Sequence, residues 1–234
     1  MVNIQFRAYF SIQHLKSAYL LGIESKKLEE LDLTNICGSE KNDLISRNLA
    51  FVTGSLFASV SFLEATIREV ICDIIDTKDR TLNIPTKDRD SVVVDWNKKS
   101  RDSLERLSIL NKYQRTLSIL NKVTFDSGSE IFIDLINVIE VRNALIHYTP
   151  EDYSIHSPFV SEINNQHALT EYLDGKFEHS VFFERTGNPF FPDKCLGYGF
   201  SRWTLENSIK FVNEFHNKIG LKPIYKHITE DIKL

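Results

Sequence analysis

The chain has 234 residues, 42% hydrophobic and 26% charged, which is enough for one sizeable core or at most two small domains. A formal net charge of −4 excludes a surface that attracts nucleic acid as a whole, so binding to RNA or DNA would require a local basic groove. Cys37, Cys72 and Cys195 are odd in number and far apart, which excludes an evident disulfide framework and a cysteine metal cluster and fits a reducing cytoplasm. No apolar run approaches the roughly 20 residues of a membrane span, and the amino terminus lacks the basic, apolar and small-residue order of a secretory signal. A cytoplasmic protein without membrane contact is the expectation. Sixteen Phe against one Met point to a core built on aromatic anchors.

Helical periodicity dominates the chain. Residues 4–31 read as a first helix, with Ile4, Tyr9, Ile12, Leu15, Tyr19, Leu20 and Ile23 on one broad face. Residues 32–42, with Gly38 and Ser39, read as a loop. A long helix is predicted from about Leu44 to Ile75, its stripe formed by Leu49, Val52, Leu56, Val60, Leu63, Ile67, Val70 and Ile74. Residues 78–95 are polar, contain Pro85 and read as a loop, and residues 96–123 read as a third helix. Ser129 is placed to cap a fourth helix that starts near Ile131 and ends before Pro150. A shorter helix is predicted within 158–174, and an irregular, Gly-, Pro- and Phe-rich loop over 175–200. The last helix runs from Trp203 to Ile219, with Gly220 as its stop. Val92-Val93-Val94 and Val181-Phe182-Phe183 could be short extended pieces but not a sheet. An all-α bundle follows.

The fourth helix carries the most informative residues, Arg142-Asn143-Ala144-Leu145-Ile146-His147-Tyr148. Ile131, Leu135, Val138, Arg142 and Leu145 fall at steps of four, three, four and three, so a guanidinium sits where the pattern asks for an apolar side chain. Such a cation should meet an acid, a phosphate or a second subunit. Asn143 and His147 are four apart and share an adjacent face. Glu64, on the border of the long helix's apolar stripe, either pairs with Arg142 or hydrogen-bonds another helix.

A helical bundle with Arg-Asn-x-x-x-His at the end of its fourth long helix resembles the HEPN superfamily. The segments from Phe57 to Ala65 and from Trp203 to Val212 are similar to the second and final helices of bacterial members, so the likeness extends loosely over most of the chain. The resemblance implies one HEPN-like helical domain over residues 1–234, with its core in residues 4–150 and 200–220. It implies a metal-independent endoribonuclease, a toxin or anti-phage defence effector, acting on RNA such as tRNA or mRNA. It also implies a homodimer in which the motif helices of two subunits face one groove, and a partner such as an antitoxin or another defence protein. Some relatives carry a modifiable tyrosine two residues after the histidine. Here that position is Thr149, and Tyr148 directly follows His147, so the pattern departs from the family's.

The residue chemistry is compatible with that implication. Metal-free RNA cleavage needs a group to move protons, which His147 can do near neutral pH, and a charge clamp for the phosphorane, which Arg142 can supply with two hydrogen bonds. Asn143 can orient the imidazole or the phosphate. Residues five apart on an ideal helix are separated by about 140°. Arg142 and His147 of one chain therefore diverge, and a two-fold dimer would bring four groups into one cleft. No cofactor is expected, and the seven histidines show no metal-ligand spacing. The competing reading is a catalytically silent bundle that binds RNA, a nucleotide or a protein, with Arg142 bridging helices and His147 capping carbonyls. Tyr148 reads as a packing aromatic. The cations of the third helix, interleaved with Asp95, Asp102 and Glu105, read as a solvated face, and the aromatic loop as a lid over the bundle or a dimer contact.

Overall fold

The computed structural model describes residues 7–34, 36–76, 84–150, 167–184 and 186–229. The described residues form an all-α bundle with no strand. Its helices are α1 (Ser11–Glu29), α2 (Gly38–Ile75), α3 (Thr86–Trp96), α4 (Ile109–Ile119), α5 (Glu130–Ile146), α6 (Thr170–Leu173), α7 (Tyr198–Ile219) and α8 (Lys226–Thr229).

The 38-residue α2 is the axis of the bundle. Its stripe from Val52 through Leu56, Val60, Leu63, Ile67, Val70 and Ile74 is buried, as the three-four spacing requires, whereas Leu49 is exposed. By length and composition α2 could cross a membrane, in contrast to the reading that no such segment exists. In this fold its apolar surface packs on α1 and α7, with α3, α4 and α5 against its remaining sides. Side chains of α2, α4, α5 and α7 meet in an aromatic core. Tyr113 of α4 packs edge-on to Phe211 and Phe215 at 4.9 and 4.7 Å, and its fully buried hydroxyl donates to the Leu63 carbonyl at 2.8 Å. That bond matters because an unsatisfied buried hydroxyl costs about 1–3 kcal/mol.

Several element boundaries differ from the sequence reading, each for a visible reason. The first helix begins at Ser11, and residues 7–10 before it are not helical, because Glu69 of α2 accepts the Phe10 and Ser11 N–H groups and so caps it; Ile4 lies outside the described residues. Leu20, assigned to its apolar face, is exposed. α2 starts at Gly38, within the segment read as a loop. Residues read as the loop 78–95 include α3, which Pro85 introduces with a φ of −56°, so proline starts a helix rather than interrupting one. Val92-Val93-Val94 is therefore helical, and Val181-Phe182-Phe183 lies in turns. The third helix is shorter than predicted, because residues 97–108 fold into turns around Asp95. That buried carboxylate accepts the Leu104 N–H at 3.1 Å and pairs with Lys98 and Arg115. Within the predicted span 158–174 only α6 is helical among described residues; the remainder falls largely outside them.

Ser129 does hold the extended N-cap position of α5, but its hydroxyl donates to the Asp126 carbonyl instead of capping the helix. Gly220 ends α7 in the left-handed region at φ 75°, as its identity suggested. The aromatic segment before α7 packs on the bundle. Phe177, Phe190, Phe191 and Phe200 are buried in the main core, and the backbone kinks at Phe191, whose φ of −102° and ψ of 132° are not helical. α7 starts at Tyr198, earlier than expected, and its entry is held tightly. A Cβ on Gly199 would lie 2.5 Å from the Glu178 carbonyl oxygen, so only glycine fits without backbone movement.

Glu29, at the end of α1, clasps this entry. One carboxylate oxygen, Oε1, accepts from the Tyr198 N–H at 3.1 Å, Asn48 Nδ2 at 3.2 Å and the Ser180 hydroxyl at 3.3 Å. Burial raises its pKa, and these three hydrogen bonds only partly oppose that. A carboxyl with a raised folded-state pKa contributes stability below its unfolded pKa and loses it as pH rises through the folded value. A glutamine carbonyl can accept the same three bonds without a buried charge. Glu29→Gln is therefore expected to unfold at a Tm equal to or above wild type at pH 7, with the gap closing below about pH 4. A lower Tm for the variant at pH 7 would show that the charge itself holds the clasp.

Candidate functional site

The burial of α5 follows its sequence pattern except at the end of the helix. Ile131, Leu135 and Val138 are buried, as their spacing predicts, while Arg142 and Leu145 are half-buried. The helix stops at Ile146, and His147 is its C-cap, with φ −107° and its N–H bonded to the Asn143 carbonyl at 2.9 Å. His147 is exposed, and its ring has no hydrogen-bond partner among the described residues. Tyr148 is 48% exposed, so it is not the packing aromatic that the sequence suggested.

Arg142 does not pair with Glu64. Glu64 of α2 is taken by two other cations: Lys112 Nζ lies 2.9 Å and Arg68 Nε 2.6 Å from its Oε1. Arg68 can do this because it is one helical turn along α2. Lys112 reaches across from α4, where it occupies the buried face with Ile109, Tyr113 and Thr116 and also donates to the Leu107 carbonyl at 2.8 Å. Its side chain is only 4% exposed, so the pair with Glu64 is what makes this buried ammonium tolerable. Glu64 thus meets cations, as an acid at an apolar border should, but neither pairs with Arg142 nor makes only a simple hydrogen bond to another helix: its partners are Lys112 of α4 and Arg68 of its own helix. Burial opposes ionisation of Glu64, but the hydrogen bonds from Lys112 and Arg68 outweigh it and hold its carboxyl below the usual range.

Arg142 is left without a hydrogen bond or an ion pair among the described residues. Its Nε is fully buried and has no partner. The side chain lines a groove of about 860 Å³ between α2, α4 and α5. Asn143 and Glu64 line the same groove, as do Phe57 of α2, Asn111 of α4 and Glu140 of α5. His147 and Tyr148 lie just beyond it, at the end of α5. The structure thus brings Arg142, Asn143 and Glu64 to one wall, and leaves His147 and Tyr148 at its margin.

The remaining cations of the third-helix region form a solvated face, except for Lys112 and for Lys98 and Arg115, which are bound to Asp95. Lys112 was identifiable by the logic that singled out Arg142, a cation on an apolar helical face. Phe57, Asn111 and Glu140 carried no such signal, because only the packing of three helices brings them together. No protein-family model matches this chain, and neither a curated protein nor a solved structure does.

Removing the Lys112 ammonium should expose the dependence of Glu64 on it. Lys112→Met is expected to lower stability at pH 7 by about 2 kcal/mol, toward the lower end for a buried pair because Glu64 keeps Arg68 and some solvent. A depressed carboxyl pKa contributes stability above the unfolded value and loses it as pH falls through the folded one. The Tm gap between wild type and variant should therefore shrink below about pH 4. A gap unchanged between pH 7 and pH 3 would assign the loss to packing alone.

Proposed function

We propose that this chain is a HEPN-type, metal-independent endoribonuclease, a toxin or phage-defence effector that cleaves RNA at a composite site in a homodimer. One observation carries the reading: Arg142 lines an open groove with its guanidinium unpartnered, five residues before an exposed His147. A bridging arginine would have found an acid within the bundle, and Glu64, the available candidate, is bound by Lys112 and Arg68. An unsatisfied guanidinium at a groove is suited to an incoming phosphate.

In this reading two chains meet through the ends of their α5 helices, where Ile146 and Tyr148 offer exposed apolar surface. The contact supplies both Arg142 side chains and both His147 rings to one cleft, which resolves their angular separation within a chain. One imidazole removes the proton of the ribose 2′-hydroxyl. The 2′-oxygen attacks the adjacent phosphorus, and the bond from phosphorus to the 5′-oxygen breaks. The second imidazole, protonated, donates to that 5′-oxygen. The products are a 2′,3′-cyclic phosphate and a 5′-hydroxyl, with no net gain or loss of protons. Arg142 holds the non-bridging oxygens as charge accumulates on them, and Asn143 orients the phosphate or the ring.

The test is cleavage of a mixed tRNA and mRNA pool in EDTA by wild type, Arg142→Ala and His147→Ala, each purified as its native oligomer. Wild type should leave 2′,3′-cyclic phosphate ends, and His147→Ala should lower the rate by about 10²–10⁴-fold. Arg142→Ala should be similarly impaired, with circular dichroism unchanged in both. Equal background from all three proteins would favour a bundle that binds RNA, a nucleotide or a protein without cutting.

A further inference from the structure

We propose that the groove between α2, α4 and α5 is a nucleotide subsite, which seats one RNA base and its phosphate and favours bases that carry an exocyclic amino group. This rests on the reading of the α5 end as an RNA-cleaving site and specifies which nucleotide that site accepts. A volume of about 860 Å³ is in the range that holds one small ligand. The groove has an apolar wall and a polar end, as a nucleotide has an apolar base and an anionic phosphate. Phe57 and Ile136, each 40% exposed, project from α2 and α5 into the lining, and Val60 and Ile139 extend that wall. An exposed phenylalanine ring is a stacking surface for any base.

The polar end is built for an anion. The Arg142 guanidinium lines it, and its buried Nε has no acceptor among the described residues. Ser108, Ile109, Leu110 and Asn111 of the α4 start line the same groove. Ser108 is extended and makes no side-chain cap, and the first intrahelical bond is from the Lys112 N–H to the Ser108 carbonyl. The preceding N–H groups of that turn therefore have no intrahelical acceptor, and their residues line the same groove as Arg142. Glu64 does not oppose an anion, because Lys112 and Arg68 neutralise it.

Glu140 supplies the selectivity. It lines the groove, is exposed, and forms no ion pair among the described residues. A carboxylate only accepts hydrogen bonds. Guanine presents two adjacent donors to it, and adenine and cytosine each present an amino group. Uracil presents a single N–H flanked by two carbonyl oxygens that a carboxylate repels.

The experiment titrates the full chain, in EDTA, with 3′-GMP, 3′-UMP, guanosine and inorganic phosphate, followed by calorimetry. Binding of 3′-GMP is expected to be about tenfold tighter than that of 3′-UMP or of guanosine. Phe57→Ala should weaken both nucleotides, and Glu140→Gln should narrow the difference between them. Val123→Ser, which alters an exposed apolar residue outside the groove, should change neither. Equal binding by wild type and Phe57→Ala overturns the proposal. So does an absence of nucleotide binding, and if Phe57→Ala then also lowers the oligomeric mass, a second copy of the chain covers the groove. Selective binding without RNA cleavage would defeat the ribonuclease reading and leave the nucleotide site standing. Cleavage that is indifferent to Phe57 and Glu140 would do the reverse.

Discussion

The rest of the fold depends on covering α2. A helix of 38 residues with buried side chains from Leu44 to Ile74 cannot be sheltered by one neighbour. α1 and α7 take one side of it, and α3, α4 and α5 take others. Each fully buried Leu, Ile or Phe contributes about 1.5–3 kcal/mol, set against the entropy of ordering the chain. The groove lies where this cover is incomplete, between the start of α4 and the outer part of α5, and there Phe57 of α2 remains partly exposed. The candidate site is thus a consequence of how the central helix is wrapped.

Two cations sit on apolar helical faces, and their surroundings give them opposite roles. Lys112 is enclosed and satisfied by Glu64 and the Leu107 carbonyl, so it ties α4 to α2. Arg142 has the same sequence signature but no partner among the described residues, and it lines an opening. A buried ammonium without a counter-charge would be strongly unfavourable, whereas the half-buried Arg142 side chain lines an opening. Once α4 lies across Glu64, that acid is occupied, and Arg142 has no partner among the described residues. Three acids divide a similar labour between elements. Asp95 gathers the turns between α3 and α4, Glu69 caps α1, and Glu29 clasps the start of α7.

Much of the helical architecture was legible in the residue spacing. The three-four stripe of α2, the buried face of α5 and the glycine stop of α7 follow from local geometry, which a sequence states directly. The errors arose where distant groups decide. The late start of α1 is set by Glu69, 58 positions away from Ser11. The turns after α3 are set by Asp95 and its partners, and neither Pro85 nor the polar composition of its neighbours revealed α3. The exposure of Tyr148 also departs from what its apolar ring suggested, since nothing in the described bundle covers that end of α5.

By itself, then, the sequence determined an all-α chain, the helix that carries Arg142, Asn143 and His147, and the anomaly of a cation on that helix's apolar side. These depend on periodicity and on single-residue chemistry, both of which are local. Only the tertiary structure decided that Glu64 belongs to Lys112, that Arg142 has no partner among the described residues, and that Phe57, Asn111 and Glu140 share a groove with it. Those facts depend on which helices meet and at what height. That is set by packing across residues remote in the chain, where many partners compete for each charge and spacing along one helix cannot choose among them.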